Sequence, residues 1–291
     1  MSSPSSPTLP KGRAGFRRQV GAEWTKLLSV KSTWISLSLF VVIGIGLGAL
    51  ISYFVASTWS TSSVFDRAQF DPIRITLAGV TASEFIVGIL GVLVVSAEYT
   101  SGLIRTTLAA VPRRLSVLLA KAALVTVVIG IASEITALVS FFVARSVMLA
   151  SGGHPAVTGL GSTPAPFAPV PSWSDPGVAR AVLLAGLYLT LLSLIGLGFG
   201  FILRSSVGAI SAFVGMLLVL PIIVILLPSS LTTHFERFLP SNLGAAMMNI
   251  GSPISRFGGP LTSPTDGALI LALYAVVVLS IGAWRLLRSD A

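Results

Sequence analysis

Apolar and polar positions fall into long blocks along this chain. Six apolar runs lie at about 33–55, 79–97, 116–144, 179–203, 207–228 and 267–285. Each is long enough, or nearly so, to cross roughly 30 Å of hydrocarbon, which takes about 20 helical residues. Inside a bilayer no water is available to the backbone, so each run must bond its own amides as a helix. The pattern predicts an all-α integral membrane protein with six transmembrane helices. The third run is long, which predicts a tilted helix or one that continues beyond the membrane. Only Arg204-Ser205-Ser206 separates the fourth from the fifth, a tight hairpin of antiparallel helices. Pro221 lies inside the fifth run, where it removes one backbone hydrogen bond and predicts a kink.

The segments between the runs differ in kind. Residues 1–12 are rich in Ser and Pro and read as a disordered tail. Over 13–31, Phe16, Val20, Trp24, Leu27 and Leu28 fall on one helical stripe, with Arg17, Arg18, Glu23 and Lys26 largely off it. A basic amphipathic helix with a Trp in its apolar face predicts a helix lying in the membrane interface. The six-span domain then covers 32–291. Three longer connections fall on the opposite side, at about 56–78, 145–178 and 229–266. The second, rich in Gly, Pro, Ser and Thr, reads as an irregular loop. The third has the composition of short helices dipping into the membrane edge. Glycines at helical spacing (Gly44, Gly46, Gly48, then Gly196, Gly198, Gly200) read as close helix packing. None follows a strand, so none is a nucleotide fingerprint.

Composition narrows the class. Of the 291 residues 54% are apolar and 10% charged, against roughly 25% charged in soluble domains. That is too little charge to cover a water-facing surface of this size. There is no cysteine, which excludes disulfides, thiolate metal sites and cysteine nucleophiles. The net charge of +9 is spread over the ends of apolar runs and not gathered on one soluble face, so nucleic acid is not the partner it implies. Thirteen of the 19 basic residues fall on the side of the N-terminal segment and six on the other. The positive-inside rule therefore predicts that both termini are cytoplasmic. The first run begins more than 30 residues in and is too long for a signal peptide, so it reads as a retained span.

One polar stretch interrupts the apolar pattern: SAEYTSGLIRTTLAAVPRR, Ser96 to Arg114. Ser101-Gly102 ends the second span, LIRTTLAA has the makings of two helical turns, and Pro112 stops them. The arrangement fits either a passive turn with snorkelling arginines or a short helix that docks on a soluble partner. The stretch resembles the segment after the second span in permeases of ABC-2 type exporters. The shared pattern falls on Glu98, Tyr99, Gly102, Ile104, Arg105, Pro112 and Arg113. VGAEWTKLLSVKSTW resembles the N-terminal entry of these permeases in the basic-rich form common in actinobacteria, and IGLGFGFILRSSVGAISA resembles their fourth-to-fifth span hairpin. The resemblance covers nearly the whole chain and identifies no cargo. It implies a bacterial plasma-membrane permease in which 98–114 is a coupling helix docked on a separate ABC ATP-binding subunit. It also implies two copies of that subunit and a second permease chain, identical or related. The chain has no G-x-x-x-x-G-K-[ST] frame, so ATP hydrolysis is expected in the partner, and no cofactor is expected here.

Two carboxylates, Glu84 and Glu134, fall inside spans, where a charge near mid-membrane costs about 2.5–3.5 kcal/mol. Counting from the outer ends at 1.5 Å per residue puts them about 8 and 15 Å deep. They are candidates for a substrate path for cationic or polar cargo; the plainer reading has them snorkelling, protonated, or bonded to Ser133 and Thr136. His154 and His234 stand alone, with no metal-ligand spacing and no catalytic arrangement. The expectation is an exporter permease for a small hydrophobic or amphipathic compound. The alternatives are a non-transporting scaffold or signalling partner of an ATPase, and a proton-driven secondary transporter.

Overall fold

The computed structural model describes residues 16–29, 31–68, 70–104, 114–155, 167–251 and 262–288. The tail 1–12 and Arg105, Pro112 and Arg113 lie outside the described residues. The described helices are α1 (Phe16–Ser29), α2 (Lys31–Ser57), α3 (Val64–Ala68), α4 (Pro72–Thr76), α5 (Ala78–Thr100) and α6 (Arg114–Ala150). They continue with α7 (Val178–Leu203), α8 (Ser206–Ile225), α9 (Ser229–Phe235), α10 (Pro240–Met247) and α11 (Pro264–Arg288). Six of them, α2, α5, α6, α7, α8 and α11, are long and apolar enough to cross a membrane. The protein is all-α in its spans and membrane-embedded in character. A two-residue parallel pair, β1 (His154–Pro155) with β2 (Pro169–Val170), is the only sheet among the described residues.

The bundle is organised around α7. Over its most apolar stretch 72% of α7 is buried, against 28% in α2 and α8 and 22% in α11, so α7 is the axis and the other three are flanks. Helices in lipid gain little from the hydrophobic effect and associate through close packing of small residues. Two crossings depend on glycine for this reason. A Cβ on Gly79 of α5 would lie 1.7 Å from the Gly44 carbonyl oxygen of α2, and one on Gly196 of α7 would lie 2.2 Å from that of Gly88 on α5. Large apolar side chains outside these seams, such as Ile35, Leu39 and Val42 on α2 and Ile222 and Ile223 on α8, face outward. That is the surface a bilayer requires.

Three details depart from the sequence pattern. The third span runs to Ala150, not to about 144, and its 37 residues make about 55 Å of helix, well beyond the hydrocarbon thickness. In the fifth span the effect of Pro221 is taken up by a π-helical turn over Gly215–Val219, in which the Leu220 N–H donates to the Gly215 carbonyl. The wider turn re-registers the ladder just before the residue that has no N–H to give. The connection over 58–77 contains α3 and α4, the latter capped by Asp71, whose Oδ1 accepts from the amides of Ile73 (3.0 Å) and Arg74 (3.2 Å). Beyond α8, the short helices α9 and α10 occupy the third long connection, and α10 packs on α7 and α11.

Candidate functional site

All six spans pack into one bundle, and its most unusual chemistry lies at the end where α1 enters, α5 ends and α6 begins. Lys121 of α6 is only 2% exposed, and a buried ammonium needs partners. Its Nζ donates to Glu98 Oε1 of α5 at 2.7 Å and to Glu23 Oε2 of α1 at 2.6 Å. Lys26, one turn along α1, also pairs with Glu98 Oε1. Two ammonium groups and two carboxylates thus form one neutral cluster joining three helices. Such a cluster adds little net stability over an apolar core, because desolvation offsets the attraction. Removing one member, by contrast, costs about 3–5 kcal/mol. The cluster therefore specifies one arrangement of the three helices.

This explains an inversion in α1. Its protein-facing side is polar, with Gln19, Glu23 and Lys26 at helical spacing and partly buried, while Phe16 and Trp24 are exposed. A water-soluble amphipathic helix does the opposite. The apolar stripe read from the sequence is thus directed away from the bundle at Phe16 and Trp24.

Glu98 stands two residues before the end of α5, and its neighbour Tyr99 turns the other way. The Arg204 guanidinium lies 5.4 Å from the Tyr99 ring centroid. Ser206 Oγ, at the start of α8, donates to Ser96 Oγ at 2.9 Å, and Thr100 Oγ1 lies 3.4 Å from it. The end of α5 is therefore tied on one side to α1 and α6 and on the other to the α7–α8 hairpin. The helix stops as expected: Gly102 takes φ +73°, a left-handed conformation that ends it, and Ile104 beyond it is 3% exposed. Of the residues marked in this segment, Glu98, Tyr99, Gly102 and Ile104 are brought to this junction. Glu23, Lys26 and Lys121 were missed by sequence reasoning. Opposite charges at the facing ends of successive antiparallel spans, Glu98 and Lys121, were the available signal.

The two intramembrane carboxylates do not form one site. Glu84 is 5% exposed and accepts from the Tyr188 hydroxyl at 2.6 Å. The Tyr188 ring is in turn seated against Gly244 of α10, where a Cβ would approach to 2.5 Å. Glu134 is half-buried, and its carboxyl lies over Gly186 of α7, where a Cβ would come within 2.4 Å. Gly186 and Tyr188 are two residues apart, which separates them by about 200° around α7. Of the plainer readings of Glu134, hydrogen bonding to Ser133 and Thr136 is not what the structure shows. Thr136 Oγ1 donates to the Ala132 carbonyl at 2.7 Å, and Ser133 Oγ and Glu134 Oε2 are buried with no hydrogen-bond partner. His154 packs on Phe167 and His234 bonds the Ser230 carbonyl, and the described residues hold no cluster of three metal-ligating side chains.

No model of a known protein family matches the chain, and no curated protein matches it.

Proposed function

We propose that the chain is the membrane-spanning permease subunit of an ABC-2 type exporter, moving a small hydrophobic or amphipathic compound across a bacterial plasma membrane. A separate ATP-binding subunit, in two copies, drives it through the 98–114 segment, and a second permease chain completes the path. The end of the bundle that carries α1 faces the cytoplasm.

The observation that carries this reading is the Glu23–Lys121–Glu98–Lys26 cluster at the start of that segment. A passive turn has no need of a charge lock at its root. A segment that receives a push from a soluble partner does, because the push must reach α1, α5 and α6 as one body. The proton-driven alternative is less well supported, since Glu84 is engaged by Tyr188 and lies on a different face of α7 from Glu134.

The test is copurification with an ATPase encoded beside this chain, comparing wild type with a Glu98→Ala, Arg105→Ala double variant. Lost assembly, or lost stimulation of ATP hydrolysis in an assembled complex, supports the reading. Full assembly with unchanged hydrolysis makes the segment a passive turn and reopens the scaffold reading.

A further inference from the structure

Two groups of basic residues are drawn together at the α1 end. Lys26 and Lys121 are neutralised by Glu98 and Glu23. The second group surrounds the last turn of α11. Arg204 Nη2 donates to the Arg285 carbonyl at 3.1 Å, and Arg114 Nη1 donates to the next carbonyl, that of Leu286, at 3.4 Å. Two guanidiniums from different segments therefore bracket a turn that itself carries Arg285 and Arg288, both exposed. Among the described residues no carboxylate lies within ion-pair distance of Arg204, Arg285 or Arg288. The Arg204 Nε is buried and has no hydrogen-bond partner.

Carbonyls at a helix C-terminus favour nearby cations, but that attraction uses one N–H of Arg204, whose guanidinium also faces the Tyr99 ring, and none from the side chains of Arg285 or Arg288. Each guanidinium has five donors. The backbone adds a second, independent observation. Arg204 sits at φ +53° and is the only non-glycine residue with positive φ among the described residues. Glycine would take this helix-ending position without strain, yet a long cation stands there.

We propose that Arg204 and Arg285, with Arg114 beside them, form a binding site for the phosphate of an anionic phospholipid headgroup. A guanidinium fork matches a phosphate oxygen pair. The surroundings favour a lipid as the source: Trp284 and Leu287, 55% and 56% exposed, flank the arginines, and the Arg288 guanidinium stacks 4.8 Å from the Trp284 ring. Aromatic and apolar side chains beside cations mark the headgroup level of a bilayer. The site requires only that the spans lie in a membrane and is independent of the exporter reading.

The experiment uses the chain alone in phosphatidylcholine nanodiscs, reading the immobilised fraction of spin-labelled phosphatidylglycerol against spin-labelled phosphatidylcholine. The wild type is expected to prefer phosphatidylglycerol. Arg285→Gln should reduce the preference about 5-fold and an Arg204→Gly, Arg285→Gln double variant about 25-fold, the expectation for about one surface cation each. Arg204→Gly relieves the left-handed backbone but gives up the contacts with the Tyr99 ring and the Arg285 carbonyl, so the melting temperature of each variant is read alongside to separate lost binding from lost folding, and Arg285→Gln alone tests the site without them. Lys31→Gln, at the same end, should leave the preference intact. Equal preference in the wild type and the double variant overturns the proposal. So does displacement of the labelled lipid by inorganic phosphate, which would make this a site for free phosphate.

Discussion

The Lys121 ammonium is held between Glu98 at 2.7 Å and Glu23 at 2.6 Å, which places the single most buried cation of the described bundle at the root of its polar connecting segment. Lys121→Gln is therefore expected to leave two carboxylates with Lys26 alone. The predicted loss is about 3–5 kcal/mol of stability, the cost of breaking one side of a buried ion cluster. Lys121→Arg, which keeps the charge, should cost much less. Thermal or denaturant unfolding in detergent checks both, and equal stability of the Gln and wild-type forms would contradict the assignment.

Tyr188→Phe removes the donor to Glu84 while keeping the ring against Gly244. The expected loss is about 0.5–2 kcal/mol, the range for hydrogen bonds between membrane helices. Glu84→Gln keeps an acceptor and should cost less than Glu84→Leu. The same unfolding measurement checks the order.

Gly79→Ala places a methyl group where the Gly44 carbonyl already stands, so α2 and α5 must separate, at a cost of about 1–3 kcal/mol. Gly46→Ala meets nothing within 4 Å and should change stability by less than about 1 kcal/mol. A pair of equal effects would mean that the Gly44–Gly79 crossing is not tight.

If Glu84 and Glu134 face the cargo path, replacing each by Gln should change export of cationic relative to neutral compounds. The prediction is stronger for Glu134, whose Oε2 has no partner, than for Glu84, which Tyr188 engages. Export profiles of the two single variants measure this, and an unchanged profile in both removes these residues from the path.

The spans were legible in the sequence because twenty apolar residues in a row have one inexpensive backbone solution in lipid. Their ends were less so. The third span outran its apolar core because α6 continues past Arg145, whose Nε donates to the Pro171 carbonyl; length in hydrocarbon says nothing about length outside it. The π turn before Pro221 was not readable, since a kink and a re-registered ladder satisfy the same missing N–H. Ser133 and Thr136 are near Glu134 in the sequence, but residues one or two positions apart on a helix point in different directions, and the structure sets Glu134 over Gly186 instead. The charge cluster was half visible. Glu98 was marked, whereas Glu23 and Lys121 stand 98 residues apart and meet only because α1 presents its polar side to the bundle.

In the proposed function the cluster transmits a partner's movement from the 98–114 segment into the spans. That proposal is tested by the ATP hydrolysis rate per assembled complex of this chain with the proposed ATPase partner, for wild type, Lys121→Arg and Lys121→Gln. The Arg form is expected to stimulate hydrolysis as the wild type does, and Gln-form complexes, once assembled, to lose that stimulation. Assembled Gln-form complexes that hydrolyse ATP at the wild-type rate would contradict it.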